Sequence, residues 1–212
     1  MNDSSSSVSG PARLLFAIAY PLLAHWASHD GGGVLAALAL ADLVLFVSID
    51  GLLKLRPLPW AISLLLLGGL AALAHTPYAQ MLLLTPPVLF NGWLAWWFAR
   101  SLRGGREGLI TRIVAALHSC APRELEPDLY RYTRRLTALW ACVLTVLMVV
   151  NGVLATIAVP DGLLARLGQV PAIAIGREQW SWFANIINYG VIGGMFAVEY
   201  SVRLRLFKQR PE

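Results

Sequence analysis

The chain is poor in charge and in cysteine. Only 14% of its 212 residues are Asp, Glu, Lys or Arg, against roughly 25% in a soluble domain. Hydrophobic residues make up 57%, so an ordinary soluble fold is not expected. Two cysteines, Cys120 and Cys142, give no disulfide framework. They fall at different depths of the threading set out below and read as ordinary thiols. The four histidines form no zinc motif with each other or with cysteine, so no metal is expected. There is no glycine-rich phosphate loop and no G-x-S-x-G elbow, so no cofactor site is expected either. No internal repeat is evident, which leaves an inverted-repeat transporter core without support. The net charge of +5 does not form a basic stripe on a soluble domain, and nucleic acid is not an expected partner.

The chain is rich in long apolar runs. They thread a bilayer about six times, at 14–26, 34–47, 58–74, 80–99, a fifth run ending near 159, and 180–200. Of the 17 Lys and Arg residues, only Arg166 and Arg177 then fall on one side; all the others, from Arg13 to Arg210, fall on the opposite side. The positive-inside rule makes the crowded side cytoplasmic. The expected fold class is therefore all-α: a polytopic helical membrane protein with about six transmembrane helices and both termini in the cytoplasm. The expected location is the bacterial inner membrane, with the phospholipid bilayer as first partner. Residues 1–13 read as a disordered tail. Residues 14–212 read as a single helical transmembrane domain with a cytoplasmic loop over 100–136. A cleaved signal peptide is not expected, because only Arg13 precedes the first run and no small-x-small site follows it.

The basic loop holds most of the candidate site residues. Leu109, Ile110, Ile113, Val114 and Leu117 share one face of a predicted helix, which would lie on the membrane surface. Arg106, Arg112, Arg134 and Arg135 can hold a phosphate or carboxylate through forked hydrogen bonds. Glu107, Thr111 and Tyr132 complete the candidate anion- or partner-binding group. Trp93, Trp96 and Trp97, close to Arg100, read as an interfacial aromatic belt. Within the spans, Asp42 is an intramembrane carboxylate, a functional hypothesis by default, and the favoured alternative is that its short span lets it reach the headgroups or pair with a neighbour. His25 reads as a packed, hydrogen-bonded histidine. In the last span Ser181, Asn185, Asn188, Ile192, Met195 and Glu199 recur at spacings of four and three, so they share one face. That polar stripe must face protein or water. Glu199 either pairs with Arg203 one turn on or meets Arg106, Arg112 or Arg134 where loop and membrane join.

Four segments carry a family resemblance: 105–112 (GREGLITR), 132–137 (YTRRLT), 182–189 (WFANIINY) and 196–200 (FAVEY). In this order they resemble uncharacterised bacterial inner-membrane proteins encoded beside fatty-acid-like enzymes in aryl-polyene and xanthomonadin-type clusters. The likeness covers most of the chain after Pro57. The family pattern has a proline where Gly108 stands. Some relatives are labelled ketosynthase, a label that implies a cysteine nucleophile with paired His or Asn, which this chain lacks in usable positions. The resemblance implies an integral membrane component of a fatty-acyl or aryl-polyene-type pathway and carries over no activity; the expectation is a non-catalytic component whose basic loop docks acidic acyl-carrier protein or soluble biosynthetic enzymes by charge complementarity. Two alternatives stand beside it. One is a membrane enzyme acting on an anionic acyl or lipid substrate, with Glu107 or Glu199 as general base. The other is a lipid transporter built on the asparagine stripe.

Overall fold

The computed structural model describes residues 4–30 and 32–207, with side chains over 10–29 and 32–203. Lys208 and Arg210, and the side chain of Arg205, belong to the charge split above and lie outside the described residues. Most described residues are helical. The helices are α1 (Ser4–Asp30), α2 (Gly33–Leu53), α3 (Pro57–Leu73), α4 (Tyr78–Leu83), α5 (Thr85–Ser101), α6 (Leu109–Leu117) and α7 (Pro127–Ile157). A short strand β1 (Ala158–Val159), α8 (Leu163–Arg166), β2 (Ile175–Gly176) and α9 (Arg177–Trp182) follow. A π-helical turn, Phe183–Ile187, leads into α10 (Asn188–Phe207).

Among the described residues, four helical runs are long and apolar enough to cross a membrane: Gly33–Leu53, Tyr78–Ser101, Pro127–Ile157 and Arg177–Arg203. The second breaks at Leu84, just before Pro86 and Pro87, which have no N–H to donate and sit where a first helical turn tolerates them. At 17 residues α3 is shorter. At about 1.5 Å per residue it falls short of the roughly 30 Å of hydrocarbon. Its surface is apolar, and only Ser63 on it is buried, which suits lipid rather than protein around it. The chain is thus a helical membrane protein by length and composition.

α1 begins at Ser4; Met1–Asp3 lie outside the described residues. The chain packs as two compact units. The first comprises the segments up to Leu84 and from Leu154 onward; the second is Thr85–Val153.

In the first unit α1 and α2 meet through small residues. Ala24 and Ala27 pack with Ala36, Ala39 and Leu40, joined by Ala79 and Leu83. Small side chains let helix backbones approach closely. Gln80 Nε2 donates to the carbonyls of Ala27 and Gly32, each at 3.0 Å, and pins the α1–α2 turn to α4. Gly33 leaves no room for a Cβ against the carbonyl of Ala74. At the other end of the pair, Arg13 Nη2 donates to Asp50 at 2.7 Å. The link between β1 and β2 is itself ordered. The two strands pair in parallel, Ala158 with Ile175 and Val159 with Gly176. Ala158 packs with Leu84, Trp180 and Ala184.

In the second unit α5 and α7 pack closely: a Cβ on Gly92 would stand 2.8 Å from Met148 Sδ, and Phe98 and Trp140 lie 6.2 Å apart. The loop after α5 turns on Gly104 and Gly105, both at positive φ (65° and 68°), where only glycine is unstrained. α6 then docks by hydroxyl groups. Ser101 Oγ accepts from the Leu109 amide at 3.0 Å, and Thr137 Oγ1 from the Ile110 amide at 3.2 Å. Those contacts satisfy the first donors of the helix, which would otherwise be orphaned. Thr111 is wholly buried, its hydroxyl 3.0 Å from that of Thr133. The face that seats α6 on the protein is thus Leu109, Thr111 and Ala115. Ile113 and Leu117 on the expected apolar face are exposed, as a helix lying on lipid requires.

Candidate functional site

The second unit contains a cleft of about 680 Å³ between the end of α5, the 102–108 loop, α6 and the turn at Pro122. Trp96 and Trp97 give it an apolar wall, and Arg100, Arg106, Arg112 and Arg123 give it charge. Its one carboxylate, Glu107, is already engaged. Tyr130 donates its hydroxyl to Glu107 Oε2 at 2.6 Å, and Arg123 Nε reaches Oε1 at 3.3 Å. The Tyr130 hydroxyl, with the Arg123 guanidinium adding to it against partial desolvation, holds the Glu107 carboxyl below the usual glutamate range. A general base near neutrality needs the opposite shift, which counts against Glu107 in that role. Arg100 lies 4.9 Å above the Trp96 ring, within cation–π range. Arg106 and Arg112 are exposed and face no acidic partner among the described residues. The cleft therefore presents more positive charge than its single glutamate can balance.

The candidate loop residues separate into three groups. Arg106, Glu107 and Arg112 line the cleft. Thr111 and Arg134 hold the loop in place. Arg134 Nη1 donates to the carbonyl of Arg106 at 2.9 Å and Nη2 to that of Leu102 at 3.2 Å, so its fork grips backbone rather than an outside anion. Tyr132, half-buried on α7, and Arg135, exposed on α7, are not among the residues lining the cleft. Trp96, Trp97, Arg100, Arg123 and Tyr130 belong to the site and were not singled out for it. The spacing of Trp96 and Arg100, four apart on a helix, was the one signal available.

The first unit gathers most of the remaining polar residues. His25 Nδ1 lies 2.9 Å from Ser181 Oγ, and Asn185 Nδ2 donates to the same oxygen at 3.1 Å. His29, four residues after His25, brings its ring to 4.8 Å from the His25 ring, edge to face. That four-residue spacing is legible in the sequence. No cluster of three or more metal-ligating side chains occurs among the described residues. Asn188 is buried. Glu199 Oε1 lies 3.7 Å from Arg203 Nε, the i,i+4 alternative. Asp42 is 8% exposed, and its Oδ2 has no hydrogen-bond partner among the described residues. The two arginines of the sparsely charged side share one carboxylate: Arg166 and Arg177 both bond Asp161, whose side chain is 4% exposed.

Compared with known proteins, the chain matches no family model, no curated protein and no solved structure. The resemblance to pigment-cluster membrane proteins rests on the four sequence segments alone.

Proposed function

We propose that the chain is an integral inner-membrane component of a bacterial fatty-acyl or aryl-polyene-type biosynthetic pathway, with about six spans and both termini in the cytoplasm. On this reading the second unit's loop is cytoplasmic, and its cleft docks acidic acyl-carrier protein or a soluble partner enzyme. The observation that carries the reading is the charge imbalance of the cleft: Arg106 and Arg112 are uncompensated, and Glu107 is withdrawn by Tyr130 and Arg123. Charge of one sign facing a partner of the other raises encounter rate and fixes register. An apolar product made at such a site is released where it belongs, at the bilayer.

The test is a binding titration of the detergent-solubilised protein with acyl-carrier protein at two salt concentrations. Binding should weaken steeply with salt and fall further when Arg106 and Arg112 are both changed to Gln. Binding indifferent to salt and to both substitutions overturns the docking reading. One observation favours a second reading, a membrane enzyme that takes an anionic acyl or lipid substrate into the same cleft. Trp96 and Trp97 wall a volume of about 680 Å³, which lies in the range of small-molecule sites.

A further inference from the structure

We propose that Asp42 is a proton-binding site inside the first unit, filled and emptied from the end of the bundle that carries His25 and His29. Asp42 lies near the middle of the 21-residue α2, turned into the bundle rather than to lipid. Its Oδ2 meets no donor. A charged carboxylate left unpaired in an apolar interior is strongly disfavoured, whereas the neutral acid is tolerated. Such a group exchanges with solvent by taking or losing a proton, not by pairing.

The ionisable groups around it are few. From α1, Tyr20 comes within electrostatic range of Asp42, and also of Tyr189 on α10. α3 contains no ionisable residue, and the one on α4, Tyr78, is exposed. Arg13 on α1 is committed to Asp50 at the far end of α2. Among the described residues no cation is paired with Asp42.

Polar groups lead from it to one end of the unit. Tyr20 is within electrostatic range of the acid, and Tyr189, about half exposed on α10, is within range of Tyr20. One turn before Tyr189 is Asn185, which bonds Ser181, which lies against His25; His29 follows at the exposed end. Serine, tyrosine and histidine can each accept one proton while giving another. The widened turn at Phe183–Ile187 falls within this stretch, and such turns recur at functional sites. A purely structural asparagine stripe explains neither the orphan oxygen of Asp42 nor the histidine pair at its mouth.

The test uses the full-length protein in sealed vesicles and a lipid-soluble carbodiimide, which modifies protonated carboxyls, with the labelled residue identified by mass spectrometry. Asp42 should label at low pH. Labelling should fall as pH rises on the side bearing His29, by at most about tenfold per pH unit, and should ignore the pH of the other side. His25→Gln should slow that response, while labelling with both sides held at low pH persists, which shows that the variant is folded. Labelling that is constant with pH, that follows the opposite side, or that never reaches Asp42 overturns the proposal.

Discussion

Arg134 fixes Arg106 by its backbone: Nη1 of the first donates to the carbonyl oxygen of the second at 2.9 Å. With the second branch on Leu102, one guanidinium spans the whole entrance of the loop. The two arginines therefore have different roles, although they looked alike in the sequence. Lysine cannot make the fork. Arg134→Lys should lower loop stability by about 1 kcal/mol, seen as faster limited proteolysis between Leu102 and Leu109. Arg106→Gln should leave proteolysis unchanged and weaken partner binding. Equal proteolysis of both variants would remove Arg134 from the loop's scaffold.

The Glu107–Tyr130 bond makes a prediction with a definite sign. The folded-state carboxyl lies below its ordinary value, chiefly because Tyr130 donates to it. Its contribution to stability is therefore present above the ordinary glutamate range, about pH 4.3, and is lost as pH falls through the lowered folded value. Proteolysis of the loop should stay slow down through that range and then rise. Tyr130→Phe removes the donor, so the rise should begin at a higher pH than in the native protein. A rise at lower pH in Tyr130→Phe would contradict the assignment.

Much of the architecture was readable because it rests on composition and period. Apolar runs of helical length and the basic 100–136 segment need no tertiary information. The polar face of Ser181, Asn185 and Asn188 was readable for the same reason, since buried polar groups recur at helical spacing. What was not readable depends on distant chain segments meeting. His25 and Ser181 are 156 residues apart, and nothing local to either marks the other. Tyr130 reaches Glu107 only because the loop folds back across 23 residues. The sequence around Arg134 cannot distinguish a guanidinium bound to carbonyls from a free one.

Gly104 and Gly105 are needed for their backbone, not for space. Both have positive φ, and a Cβ on either would meet nothing within 4 Å. Gly104→Ala and Gly105→Ala should each destabilise the loop by about 1–2 kcal/mol through left-handed strain alone. A denaturant melt followed by Trp96 and Trp97 fluorescence would measure it. Gly108 differs: its φ of −54° suits any residue, but a Cβ would sit 3.0 Å from Thr137 Oγ1 and 3.1 Å from Thr111 Oγ1. Gly108→Ala should therefore destabilise by crowding, and the loss should shrink when Thr137→Ala is added. Additive losses in the double variant would exclude crowding as the cause.

Asp161 holds the two arginines that depart from the charge bias of the rest of the chain. Its side chain is the most buried of the three, and Arg166 is less exposed than Arg177. Arg166 also donates to the carbonyl of Pro77 at 3.2 Å, so it ties the 160–176 segment to the turn before α4. Removing the shared carboxylate strands two cations at once, while removing one arginine leaves the other in place. Breaking a fully buried pair costs about 3–5 kcal/mol; partial exposure of both arginines lowers that to about 2–3 kcal/mol for Asp161→Asn. Arg166→Gln should cost less, and Arg177→Gln least. The order should appear in thermal melts of the detergent-solubilised protein. The triple variant Asp161→Asn, Arg166→Gln, Arg177→Gln should be more stable than Asp161→Asn alone, because no cation is then left unpaired. A triple variant less stable than Asp161→Asn would mean that the arginines stabilise this segment by packing and not through the carboxylate they share.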